Sequence, residues 1–144
     1  MVEQDTIKLL RECDAGVKMG VSSIYDVLDN IKSDKLEKIL TDSKKAHHAL
    51  DNEISELLDK YKDDGKDPDP IAKSMSWIKT NMKLMVNDSD KVIADLMTDG
   101  CNMGVKSLNK YLNKYKAADE KSKDIAKKLI NIEEKLAVDM RDFL

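Results

Sequence analysis

The sequence predicts an all-α fold, a four-helix bundle of two antiparallel hairpins with a long helical crossover between the second and third main helices. Three observations carry this. Apolar residues recur at steps of three and four along four long segments, the pattern of helices that bury one stripe. Short breaks divide each pair of segments, whereas residues 62–89 separate the pairs. The glycine motif of the first segment also returns in the third.

The first segment runs from Gln4 to Ile31, its stripe marked by Leu9/Leu10, Cys13, Gly16/Val17, Gly20/Val21, Ile24 and Val27/Leu28. Lys32-Ser33-Asp34 breaks it, and Ser33 or Asp34 can cap the next helix by offering its oxygen to a free N–H. The second segment carries Leu36, Ile39/Leu40, Ser43, Ala46/His47, Leu50, Ile54 and Leu57/Leu58 and reaches Tyr61. Asp63-Asp-Gly-Lys-Asp-Pro-Asp-Pro70 ends it, because two prolines and a glycine in eight residues read as a loop. That acidic run lacks the spacing and closing Glu of a calcium loop and is expected to be a solvated connection.

Pro70 suits the first turn of a crossover helix over 70–86, with apolar positions at Ile71, Met75, Ile78, Met82 and Met85. Ser89 can cap the next segment, Asp90 to Lys116, whose stripe includes Ile93, Leu96/Met97, Gly100, Gly104 and Leu108. Ala117-Ala-Asp119 turns the chain into a last helix with Ile125/Ala126, Leu129, Ile132/Glu133, Leu136, Met140 and Phe143. The expected organisation is therefore one domain over 1–144, with hairpins at 4–62 and 90–144.

Composition agrees. Apolar residues make up 41% and charged residues 37%, with five Gly and two Pro, a balance that suits amphipathic helices better than sheet or disorder. Aromatics are scarce at 4%, so the core is expected to be aliphatic and filled by Met. Net charge is −3 with both signs interleaved, and Arg11 and Arg141 are the only arginines. A nucleic-acid partner is not expected, since such proteins concentrate a basic face and use Arg on phosphates and guanines. No apolar run reaches the roughly 18 residues of a membrane span, and the N-terminus has no leader pattern. A cytoplasmic location without membrane contact is the expectation, and Cys13 and Cys101 are read as lone buried thiols.

Gly16-Val-Lys-Met-Gly20-Val-Ser-Ser23 recurs as Gly100-Cys-Asn-Met-Gly104-Val-Lys-Ser107, at an offset of 84 (16 to 100). The chain reads as two copies of one hairpin about a pseudo-two-fold axis. Each helix-interior glycine costs about 1 kcal/mol relative to Ala, so four must be offset by something. Gly16, Gly20, Gly100 and Gly104 are expected to serve helix packing by letting backbones approach. The competing reading is that they clear space for a ligand or metal.

Taken together, the glycine-bearing helices, Leu50-Asp-Asn-Glu-Ile54 and the crossover Asp69-Pro-Ile-Ala-Lys-Ser-Met-Ser-Trp77-Ile-Lys-Thr-Asn-Met resemble the ferritin-like superfamily. Within it, the resemblance is to a group of small uncharacterised bacterial four-helix proteins. It implies the bundle with its crossover, and it brings a question of metal. Di-iron members use one Glu from each of two helices and a Glu-x-x-His from each of the other two. Here Lys44 and Lys45 stand three residues before His47 and His48, and Leu136 and Ala137 stand three after Glu133 and Glu134. Lys18 and its repeat equivalent Asn102 replace the remaining acids, and a central Lys18 would repel cations.

The resemblance thus implies the fold and weakens the chemistry. No cofactor is expected. The weak metal candidates are His47 and Glu133, with Asp14, Asp99 or Cys101 as a third ligand for iron or another divalent ion. The plainer reading is a buried His47–Glu133 hydrogen bond, with His48 solvated. There is no phosphate-binding loop, dinucleotide fingerprint or nucleophile elbow.

The chain is expected to be a non-enzymatic bundle acting through protein–protein contacts. Trp77 and Met82 of the crossover form the candidate partner surface, and a homodimer of two-fold symmetry or an unknown protein is the partner. The alternatives are a divergent metal-binding or iron-oxidising protein using His47 and Glu133, and a carrier of small apolar ligands, which needs an open cavity.

Overall fold

The computed structural model describes residues 2–67 and 89–144. Among them the chain forms four long helices and no strand: α1 (Gln4–Leu28), α2 (Asp34–Lys60), α3 (Ser89–Lys114) and α4 (Glu120–Met140). A single 3-10 turn, Arg141–Phe143, follows α4. The crossover helix expected over 70–86, with Trp77 and Met82, lies outside the described residues.

Local chemistry sets the ends. Ser33 caps α2, its hydroxyl accepting from Leu36 N at 3.3 Å, and Asp119 caps α4 by accepting from Ser122 N at 2.8 Å. α1 stops at Leu28, short of the Ile31 that its apolar pattern suggests. The turn is held by α3 instead: Asp90 accepts from Lys32 N at 2.8 Å and Ser33 N at 2.9 Å. Ser89 is helical, and its hydroxyl donates to Asn30 O at 2.8 Å. At the end of α2, Lys62 takes a left-handed φ of 56°, with Asp63 N bonded to Leu58 O and Lys62 N to Asp59 O. This is a helix stop that glycine usually provides.

These contacts fix the topology. The C-terminus of α1 meets the start of α3, while its N-terminus meets the start of α4 through Asp119 N donating to Thr6 Oγ1 at 2.8 Å. So α1 and α4 run one way, and α2 and α3 the other. α2 ends at the opposite end of the bundle from the start of α3, and the connection leaves it beside α1. Its first residues step up α1. Arg11 Nε donates to Asp63 at 2.9 Å, Lys66 N donates to Asp14 at 2.9 Å, and Lys18 pairs with Asp67 at 3.6 Å. The acidic run is thus tied to α1 at its start rather than merely solvated. Gly65 is required there: its φ is 78°, and a Cβ would collide with the Asp14 carboxylate.

Around the bundle the order is α1, α2, α4, α3. Across it α1 packs on α4, whereas α2 and α3 barely meet. The core divides into two apolar clusters. One joins Leu9, Leu10, Cys13, Val17, Ile54, Ile125 and Leu129 near the α1 N-terminus; the other joins Ile24, Leu36, Leu40, Ile93, Met97 and Met140 at the opposite end. Each fully buried Leu or Ile contributes about 1.5–3 kcal/mol.

Burial repeats as the sequence does. At the offset of 84, buried Leu9, Cys13, Val17 and Ile24 of α1 match buried Ile93, Met97, Cys101 and Leu108 of α3. At 86 (47 to 133), buried Leu36, Leu40, His47, Leu50 and Ile54 of α2 match buried Ser122, Ala126, Glu133, Leu136 and Met140 of α4. The matched pair His47 and Glu133 forms a polar layer between the two apolar clusters.

Candidate functional site

His47 sits on the interior stripe of α2 between Leu40 and Leu50, and it is 0% exposed. A helix places each side chain over the turn before it, so the ring reaches back and Nδ1 lies 2.8 Å from Ser43 O. Nε2 lies 2.8 Å from Glu133 Oε1 of α4. Cys101 of α3 is buried close enough to Glu133 to feel its charge. α1 contributes Gly20, where a Cβ would stand 2.6 Å from Nε2 and 2.7 Å from Cδ2 of the ring. All four helices therefore converge on one pair.

The Ser43 carbonyl can only accept, so Nδ1 keeps its proton. The contact of Nε2 with Glu133 is attractive when Nε2 carries a second proton to donate. Burial alone depresses the basicity of His47; the hydrogen bond to Glu133, its negative charge and the Ser43 carbonyl together outweigh that and raise the pKa above its ordinary value. Cys101 is pushed far upward by burial and then by the Glu133 charge, which leaves an unreactive thiol. Cys13 is likewise pushed up to about 12, chiefly by burial.

Neither ring nitrogen retains a free lone pair for a metal, and the Gly20 backbone closes one side of the ring. Among the described residues no group of three or more His, Cys, Asp or Glu is placed to hold a metal ion. The sequence candidates separate accordingly. Cys101 joins the pair, whereas Asp99 is exposed. Asp14 is buried elsewhere, accepting from Lys18 Nζ at 2.9 Å and from Lys66 N. Lys18 does not occupy the centre as expected. It lies two residues past Gly16, more than half a turn round the helix, and points to the outer side. Asn102 is exposed, as is His48.

The four glycines meet different neighbours. A Cβ at Gly16 would touch Leu129 Cδ2 at 3.4 Å, and one at Gly104 would come 3.7 Å from Glu133 Oε2. At Gly100 no described atom lies within 4 Å. Where the glycines give room, side chains of α2 and α4 take it, and the nearest atoms are not backbone. Sequence reasoning placed Ser43 on the stripe but did not see its carbonyl as the partner of His47. The signal was there in the spacing of four. The anchoring of residues 63–67 by Arg11 and Asp14 had no local signal.

Outside the bundle centre, a groove of about 370 Å³ lies between α1 and α2, lined by Lys18, Tyr25, Lys44, His48 and Asp51 among others. Lys44 Nζ stands 5.2 Å from the Tyr25 ring centre. One Asp51 oxygen is shut from solvent without a hydrogen-bond partner, and the carboxyl is pushed up by burial and then by the charge of Asp14.

No protein-family model matches this chain, and no curated protein does. Among solved structures, a DUF305 fragment from Deinococcus radiodurans superposes with a TM-score of 0.79 at 9% identity, covering 98% of this chain and 95% of that one. That likeness establishes a shared helical fold. No helix among the described residues is long and apolar enough to cross a membrane.

Proposed function

We propose that this chain is a ferritin-like bundle without a working metal centre, non-catalytic, and active through contact with another protein or a second copy of itself. One observation carries the first half: both nitrogens of the central imidazole are engaged at 2.8 Å, one by the backbone and one by Glu133. A metal would have to displace the carboxylate from a ring that Gly20 already confines. The contact half rests on the sequence, where Trp77 and Met82 are residue types favoured at interfaces.

Protein purified without chelator and incubated with ferrous, manganous and zinc ions should retain none by mass spectrometry, and it should not oxidise ferrous iron. One or two ions per chain, lost on His47→Ala, would overturn this in favour of a divergent metal-binding or iron-oxidising protein. Sedimentation should show an oligomer or a partner complex that Trp77→Asp disperses; unchanged association would remove Trp77 from the contact.

A further inference from the structure

The central pair is a place where a buried dissociable proton ties the two hairpins together, unlike the exposed Lys128–Glu53 pair at 3.4 Å on the same seam. α2 belongs to the first hairpin and α4 to the second, and His47 and Glu133 span them at 2.8 Å with exposures of 0% and 9%. Because Nδ1 is committed to Ser43, the remaining proton between Nε2 and Oε1 is what makes the contact attractive. We infer that this proton is a latch: while it is present it locks the α2–α4 seam, and its loss leaves two lone pairs facing each other and loosens the hairpins. The inference rests on the pair being hydrogen-bonded rather than metal-bound.

Among the described residues the surroundings offer the pair no substitute charge. α1 presents the Gly20 backbone, and its Asp14 and Lys18 bond each other at 2.9 Å. On α2, Lys44, His48 and Asp51 line the outer groove. α3 presents Gly104 and Cys101, whose thiol stays protonated. α4 presents Glu133 itself, and its neighbour Glu134 is exposed. The direction follows. The His47 pKa in the folded state lies above the unfolded 6.5, so the latch's stabilisation is complete below that pH and is lost as pH rises through the folded value.

The test is thermal unfolding in chelator at about pH 6.5 and about pH 9. The wild-type Tm should fall by ~3 °C or more over that range. Glu133→Gln should reduce the fall to the part that the buried Cys13 and Cys101 contribute as their unfolded thiols ionise, because its amide donates to neutral Nε2 at every pH, and His48→Gln should retain the whole of it. A fall in Glu133→Gln equal to wild type, or none in wild type, overturns the latch. Should Glu133→Gln fail to fold, ring-nitrogen NMR of the wild-type protein decides. An alkaline titration of His47 that moves α2 and α4 amides together supports the latch, and one that moves neither overturns it. A wild-type Tm at neutral pH that drops on adding chelator would instead reveal bound metal and refute the metal-free reading.

Discussion

The two hairpins carry one glycine motif, and each copy meets a different facing residue. On the first side Gly16 receives Leu129 at 3.4 Å, and α1 closes on α4. The repeat equivalent of Leu129 is Ser43 (43 to 129, the offset of 86), and its partner glycine, Gly100, has no described atom within 4 Å. A leucine fills the space that a glycine opens, and a serine does not. The bundle is therefore not fully two-fold: the α1–α4 diagonal is closed while α2 and α3 stay apart. One level further in, Gly20 faces an imidazole and Gly104 a carboxylate. The same backbone device thus serves as a tight seat on one side and a loose one on the other. Duplication set the backbone, and single side chains decided what it does.

The largest effect should come from removing half of the shared pair. His47→Ala leaves a carboxylate buried without its partner and should cost about 3–5 kcal/mol in urea unfolding, whereas the double change to Leu at 47 and 133 should recover most of it. Equal losses in the single and double variants would show that packing volume, not the pair, holds the layer.

Gly20→Ala comes next. Its Cβ would press at 2.6 Å on a ring held at both nitrogens, so the loss should be about 1–3 kcal/mol. Gly104→Ala meets only ordinary contact at 3.7 Å and should gain roughly 0.5 kcal/mol through helix propensity. If the two variants behave alike, the asymmetry of the seats is refuted. Gly100→Ala, with no described atom within 4 Å, should stabilise by about 1 kcal/mol, and a loss there would mean that something fills the space beside it. The smallest effect expected is from Ser43→Ala. It removes a buried hydroxyl that has no hydrogen-bond partner and should gain about 0.5 kcal/mol, sharpening the contrast with Leu129.

Much of this was legible in the residues. The four stripes follow from helical periodicity, which depends on near neighbours alone. The cap at Ser33, one of two candidates with Asp34, follows from the one-residue chemistry of helix starts, and Asp119, read only as part of a turn, caps α4 by the same chemistry. The glycine repeat also announced that the hairpins are copies, and a buried His47–Glu133 hydrogen bond was the plainer of the two readings of that pair. Lys18 was misplaced, because an equivalence drawn from another fold member ignored its angular position two residues past Gly16. Ile31 was taken into α1, because an apolar pattern cannot register that Asp90, far along the chain, takes the N–H groups of Lys32 and Ser33.

The sequence by itself determined the four helices and their pairing into hairpins, since periodicity, breakers and segment lengths are local quantities. Only the tertiary structure decided which glycine seats a ring, that both nitrogens of His47 are engaged, and that one diagonal closes while the other stays open. Those outcomes depend on distances of a few tenths of an ångström between helices far apart in the chain. Such distances come from how all four pack at once, and no single segment encodes them.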